Sequence, residues 1–441
     1  MPGVVDKISG RFFYGWIIVA VSFLCWLVAD AFGFYTFGLF IGPLKEEFGW
    51  TTLMITGAMT TRGVIAAGLG PLIGYLADKK YGARILMTGG VLAAGATTRA
   101  VSQIQSLWQF YLLYGFIGAL GMIGFGGLVT HTIIAKWFIL KRGRAMGMAS
   151  MGVSISGTVF VPLVHFLITN FGWRTTLLFL GFIIWAVALI PVALLVRRSP
   201  EDVGLRPDGL DAEAVEAQSL DEIPVAHGFE DEYSWTLGQA LRTRAMWLLL
   251  AAFNLAGLSF SGVTIHFFSF IESKGIPSFY GAAGMTTIAI SCAIVKVPWG
   301  MLAEKFPARF CLMIVYAGCA AGLAILLGLN SGPYVFLYAI IYGTSLGGVI
   351  VLRELLFADY YGRAFLGTIR GVVMPVNLVS IAGGPLLAAW INDFTGSYVI
   401  AFTIFLITFA LGSFLLVLAR PPVPEEFAGD SAIDPVGIKA A

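Results

Sequence analysis

Twelve apolar runs, separated by polar turns, leave this chain of 441 residues few ways to fold. They span 13–40, 51–77, 83–103, 107–135, 144–170, 174–196, 244–271, 280–303, 308–329, 333–357, 366–391 and 396–419. A helix rises about 1.5 Å per residue, so about 20 residues cross the roughly 30 Å hydrocarbon layer. Only a helix or a closed barrel satisfies its backbone polar groups there. Charged residues make up 12% of the chain, against about 25% in soluble domains. The apolar excess is spread over the whole length, not gathered into one core. The expectation is an all-α integral membrane protein of 12 transmembrane helices. A net charge of +2 gives no reason to expect nucleic acid. The first run far outlasts a signal-peptide core, so it is expected to stay as a span and not be cleaved.

One long gap breaks the rhythm. Residues 197–242 hold Pro200, Pro207, Pro224 and many acids between Glu201 and Glu232, the composition of a solvated linker. The chain is thus expected to divide into a six-helix bundle (1–200), a linker (201–240), a second six-helix bundle (241–421) and a tail (422–441). Trp235 to Arg244 reads as a short amphipathic stretch at the interface. Lysines and arginines crowd the turns on one side, among them Lys79, Lys80, Lys141, Arg142, Arg197, Arg198, Lys305 and Arg363; the other side holds Lys45, Arg174 and Lys274. The positive-inside rule assigns the basic side, and with it both termini, to the cytoplasm. The four cysteines (Cys25, Cys292, Cys311, Cys319) lie in apolar runs without metal spacing, and read as small core residues.

Gly74-Tyr-Leu-Ala-Asp78-Lys-Lys-Tyr-Gly82-Ala-Arg84 closes the second run, and Gly300-Met-Leu-Ala-Glu304-Lys305-Phe-Pro-Ala-Arg309 closes the eighth, 226 residues later. One charged hairpin in each half signals duplication, which places a substrate site between the halves at bilayer depth. These turns resemble the signature of the major facilitator superfamily, Gly-x-Leu-Ala-Asp-(x)3-Gly-x-Arg. Gly74, Leu76, Ala77, Asp78, Gly82 and Arg84 match it; the second copy has Glu304 for the acid and Pro307 where glycine is usual. The resemblance implies two pseudo-symmetric six-helix bundles, with Asp78, Arg84, Glu304 and Arg309 as gating residues that bridge the halves in the outward-facing state. Trp137-Phe138-(x)2-Lys141-Arg142-Gly143-Arg144-Ala145-Met-Gly147 is similar to a signature of the monocarboxylate-transporter and oxalate–formate-antiporter branch. Tyr14-Gly15-Trp16, Pro200-Glu-Asp-Val-Gly204 and Gly262-Val-Thr-Ile-His266 resemble segments of the same branch. They imply a small organic anion as cargo, a monomer, and a bacterial inner membrane as its home.

Ionisable groups inside spans are costly and mark function. Lys296 lies deep in the eighth run, where the branch it resembles has an arginine that pairs with the substrate carboxylate. A lysine supplies a point charge without the guanidinium fork. It reads as the anion's partner, as a proton-accepting lysine, or as a side chain snorkelling to the turn. Arg62, near the middle of the second run, is expected to face the cavity or an internal acid, and reads as a second substrate-binding or gating cation. Asp30 is either a proton-coupling carboxylate or the fixed partner of Arg62. His266 suits proton coupling through its ordinary pKa of about 6.5, or serves as a hydrogen-bonded gate. His131 and His165 lie nearer span ends. Arg353 and Glu354 read as a gate pair or as interface charges. Tyr114, Tyr338, Tyr342 and Asn377 are candidates to complete the substrate pocket, with plain aromatic packing as the alternative for the tyrosines.

No Gly-x-x-x-x-Gly-Lys-Ser/Thr phosphate loop occurs, and no Ser-His-Asp or metal-ligand constellation. An enzyme is therefore not expected, nor a cofactor, nor a metal. The reading is a secondary active transporter of a small organic anion by proton-coupled symport, with the anion, a proton and the lipid bilayer as partners. An anion exchanger, a drug or sugar efflux carrier, and a non-transporting metabolite sensor stand as alternatives.

Overall fold

A computed structural model describes residues 13–29, 31, 33, 36–209 and 233–423, and every regular element among them is helical. Nine helices in this set are long and apolar enough to cross a membrane. The twelve runs reappear once three features are recognised. Arg142–Leu195 is two spans joined end to end. Gly15–Ala29 is apolar but has only 15 residues, and Gly82–Val101 is diluted by threonines and arginines. The remaining spans are Thr52–Ala77, Leu107–Trp137, Arg244–Ser273, Ser278–Ala303, Ala308–Leu327, Tyr334–Tyr361, Leu366–Thr395 and Val399–Leu418.

The first run departs from a single helix over 13–40. Its helix stops at Ala29, and a second one runs Phe37–Phe48. Within the break, the Thr36 hydroxyl donates to the Ala31 carbonyl at 3.0 Å, a local side-chain bond that competes with helix continuation. The fifth and sixth spans join at Gly172, whose φ of 77° and ψ of 161° fall in a region open essentially to glycine alone. A Cβ there would meet no atom within 4 Å, so backbone strain is the whole penalty for a side chain. Gly172→Ala is expected to cost about 1–3 kcal/mol, checked by a lower melting temperature in detergent without loss of the folded state.

Caps fix several starts. Thr51 and Thr243 each accept at Oγ1 from the backbone N–H three residues on, both at 3.2 Å. Thr236 and Gln239 form a reciprocal capping box at the short helix Leu237–Arg242. Trp235, ahead of it, is buried and donates its backbone N–H to the Tyr361 carbonyl at 3.2 Å. The amphipathic stretch is thus tied to the end of the tenth span. All four cysteines are buried and free of disulfides.

Two seams join the halves: the second span lies along the eleventh, and the fifth along the eighth. Burial along them is uneven. On the fifth span, eight of the eleven residues 142–152 are buried, whereas farther out burial falls to every fourth residue: Ser156, Phe160 and Val164. On the eleventh, six of the eight residues 366–373 are buried, followed by single positions such as Asn377, Ser380 and Gly384. A helix buried all round is enclosed, and one buried on a stripe has a free face. The halves converge at the basic end and splay toward the other.

Candidate anion site and its gate

The repeated hairpins make the closed end. Gly74, first residue of one copy, lies against Gly367 of the eleventh span; Gly300, first residue of the other, lies against Gly143 of the fifth. A Cβ on any of the four would come within 3.0 Å of the facing backbone, so only glycine admits this approach. Gly300→Ala is expected to weaken the closure by about 1–3 kcal/mol, read as a wider spacing between spin labels on the two halves at the basic end.

The acids follow the same symmetry. Asp78 accepts from the N–H groups of Gly367 and Thr368, at 3.3 and 2.8 Å, and from the Thr368 hydroxyl at 2.9 Å. Lys136 also donates to it, at 2.7 Å. Glu304 accepts from Arg144 through the backbone N–H and Nε, both at 2.8 Å. Each carboxylate thus sits at the start of a helix of the opposite half, where N–H groups are unpaired and the helix dipole favours negative charge. Arg84 and Arg309 behave differently. Arg84 donates to the Ala193 carbonyl of its own half at 2.8 Å, and Arg309 lies over the Phe310 ring. Further clamps join Arg142 to Asp359 at 3.2 Å and Arg363 to Glu201 at 2.7 Å. Asp208, near the start of the linker, accepts from the N–H groups of Ile139, Leu140 and Lys141, which fixes the loop that leads into the fifth span.

Above this gate lies Lys296. It is fully buried and donates to the Ser150 carbonyl and to Ser154 Oγ, each at 2.9 Å. Both acceptors belong to the fifth span, so the ammonium reaches across the seam and does not snorkel. Among the described residues no carboxylate lies within 4.0 Å of it. Ser150 Oγ is 3.1 Å from His131 Nε2, and His131 Nδ1 is 3.9 Å from Glu354. Glu354 is ion-paired with Arg370, which also contacts the Gly127 and Leu128 carbonyls of the first half at 3.4–3.5 Å. Arg370 escaped the sequence reading, although a buried arginine one turn into an apolar run is itself a signal. Asn377 stands seven residues beyond Arg370, two turns up the same face; its Oδ1 is buried without a hydrogen-bond partner among the described residues.

The other candidates lie elsewhere. Arg62 and Tyr114 meet in a cleft of about 340 Å³, open solvent included, lined by Val28, Thr97, Thr98 and Phe125 of the same half. The Arg62 guanidinium lies 4.9 Å from the Tyr114 ring centre, and Tyr114 stacks on Phe37 and Phe110. Asp30 lies outside the described residues. His266 is hydrogen-bonded to the Pro385 carbonyl at 3.0 Å and rests on Tyr398. Tyr338 and Tyr342 stack on each other inside the second half, Tyr338 also stacks on Phe267, and Tyr342 meets Phe409 edge to face.

The comparisons agree with this architecture. The family model described as Major Facilitator Superfamily matches residues 23–374. The chain belongs to the major facilitator superfamily. An oxalate:formate antiporter of Oxalobacter formigenes is 26% identical over 434 residues, covering 95% of this chain and 94% of that one. Monocarboxylate transporter 2 of Rattus norvegicus is 25% identical over 400 residues, covering 87% and 78%. The solved structure of the E. coli fucose:proton symporter FucP superposes with a TM-score of 0.67 at 14% identity, covering 93% of this chain and 100% of that one, a likeness of fold. This major facilitator is a multi-pass membrane protein and a secondary transporter, not an enzyme.

Proposed function

We propose that this major facilitator carries a small, monocarboxylate-like organic anion, coupled to a proton, by rocking of residues 1–200 against 241–421. The observation that carries the proposal is Lys296. A buried ammonium without a counter-ion is costly in low dielectric, and a carboxylate offsets that cost where water is excluded. Ser154, whose hydroxyl already lies 2.9 Å from the ammonium, stands near enough to orient the anion's second oxygen. The names of the relatives, an oxalate:formate antiporter and a monocarboxylate transporter, support the same cargo class. In this reading the basic end faces the cytoplasm of a bacterial inner membrane, both termini lie on that side, the protein acts as a monomer, and the conformer described is open outward.

The test is uptake of radiolabelled lactate, pyruvate, acetate, formate, oxalate and dicarboxylates into proteoliposomes, with and without an inward proton gradient. Gradient-stimulated uptake of one of these acids supports the proposal; uptake of none sinks it. The antiporter among the relatives favours one second reading, anion exchange. That reading predicts uptake only when the vesicles are preloaded with a counter-anion, whatever the gradient.

A further inference from the structure

Between Lys296 and Arg370 a line of polar groups crosses the seam at membrane depth, and His131 is its centre. The imidazole is 3% exposed, sits 5.7 Å from the Trp26 ring of the first span, and touches Ser150 of the fifth through Nε2. Nδ1 makes no hydrogen bond among the described residues and looks toward Glu354 across the seam. Three charged groups face the ring: Glu354 from the tenth span, Arg370 from the eleventh and Lys296 from the eighth. Glu354 and Arg370 are paired with each other, which leaves Lys296 as the charge near the ring without a counter-ion among the described residues.

A carboxylate bound at Lys296 supplies that counter-ion. We propose that His131 accepts the coupling proton at Nδ1, and that proton and anion bind cooperatively because the anion on Lys296 cancels the charge that repels an imidazolium. The inference rests on Lys296 as the anion site. Coupling of this kind is reciprocal: the proton tightens anion binding by the factor by which the anion raises proton affinity. Release follows from connectivity. His131 belongs to the first half, and Glu354, Arg370 and Lys296 belong to the second. Opening the basic end draws Glu354 away from the imidazolium, and the proton leaves Nδ1 for water on that side as the anion leaves Lys296. The Glu354 side chain is 18% exposed, which gives the pair its contact with water.

His131→Gln keeps a polar group beside Ser150 and removes titration. In proteoliposomes it is expected to abolish gradient-driven accumulation, a loss of about tenfold or more, while anion–anion exchange stays within about threefold of wild type. Anion affinity, which should tighten by up to about tenfold per unit fall in pH in wild type, should become flat in His131→Gln. Glu354→Gln, which keeps the imidazole, is expected to move the midpoint of that pH dependence to lower pH. Loss of exchange together with accumulation in His131→Gln, or an unmoved midpoint in Glu354→Gln, overturns the proposal. Transport that needs Lys296 yet keeps its proton stimulation in His131→Gln overturns it alone. Transport indifferent to Lys296→Ala overturns the anion site, and this inference with it.

Discussion

Lys296→Ala is expected to lower anion uptake by about two orders of magnitude while leaving the folded protein at least as stable. The two effects have opposite signs for one reason. In the absence of cargo the ammonium is buried among neutral acceptors, the Ser150 carbonyl and Ser154 hydroxyl, and its removal relieves a desolvation cost. Under the proposed function the bound anion makes the same charge one member of a buried pair, and truncating one member of such a pair costs about 2–5 kcal/mol. Uptake in proteoliposomes and melting temperature in detergent separate the two. Lost uptake with an unchanged or raised melting temperature is the expected result. A lowered melting temperature with normal transport would make Lys296 a structural residue. Lys296→Arg is expected to retain part of the activity with altered preference among acids, since a guanidinium fork meets a carboxylate differently from a point charge.

Asp78→Ala is expected to move the conformational equilibrium away from the basic-end-closed state by a factor of about 30 to 150, which corresponds to about 2–3 kcal/mol. The carboxylate has two sets of partners. Lys136 belongs to its own half and is lost in both conformers, so it changes overall stability. Gly367 and Thr368 belong to the other half, and those charge-assisted bonds exist only when the end is shut. Distances between spin labels placed on the two halves at the basic end should lengthen, and transport should fall with them. Arg84→Ala is the matched control. That side chain is held by the Ala193 carbonyl of its own half, so the distance distribution should stay near wild type. A shift as large as that of Asp78→Ala would mean that the hairpin as a whole, and not its carboxylate, holds the gate.

Much of this was legible in the sequence because bilayer thickness acts as a ruler. The second span, read as 51–77, is Thr52–Ala77, and the eighth, read as 280–303, is Ser278–Ala303. The repeat was equally plain, and its glycines and acids turn out to face the opposite half. What stayed hidden was neighbourhood. Hydrophobic length locates a span but not its partners, so nothing in the chain order joins His131 to Glu354 or Lys296 to Ser150. Tyr338 and Tyr342 show the reverse difficulty: an aromatic with a hydroxyl reads alike whether it lines a seam or packs within one bundle. Asp208 was lost among many linker acids, since no periodicity marks the one that binds three N–H groups. The early stop at Ala29 depends on local hydroxyl bonding inside a run that is apolar throughout.

The glycine seams have a consequence for how such a carrier changes over time. Where backbone meets backbone, at Gly74 and Gly367 or Gly143 and Gly300, there is no side chain to vary and no chemistry to tune. In the proposed reading the groups that would discriminate one acid from another, Lys296 and Ser154, stand farther along two of the same helices. Cargo preference can therefore drift by substitution at those wall positions while the closing surface is left alone. A new diet requires new walls, but it can keep the old door.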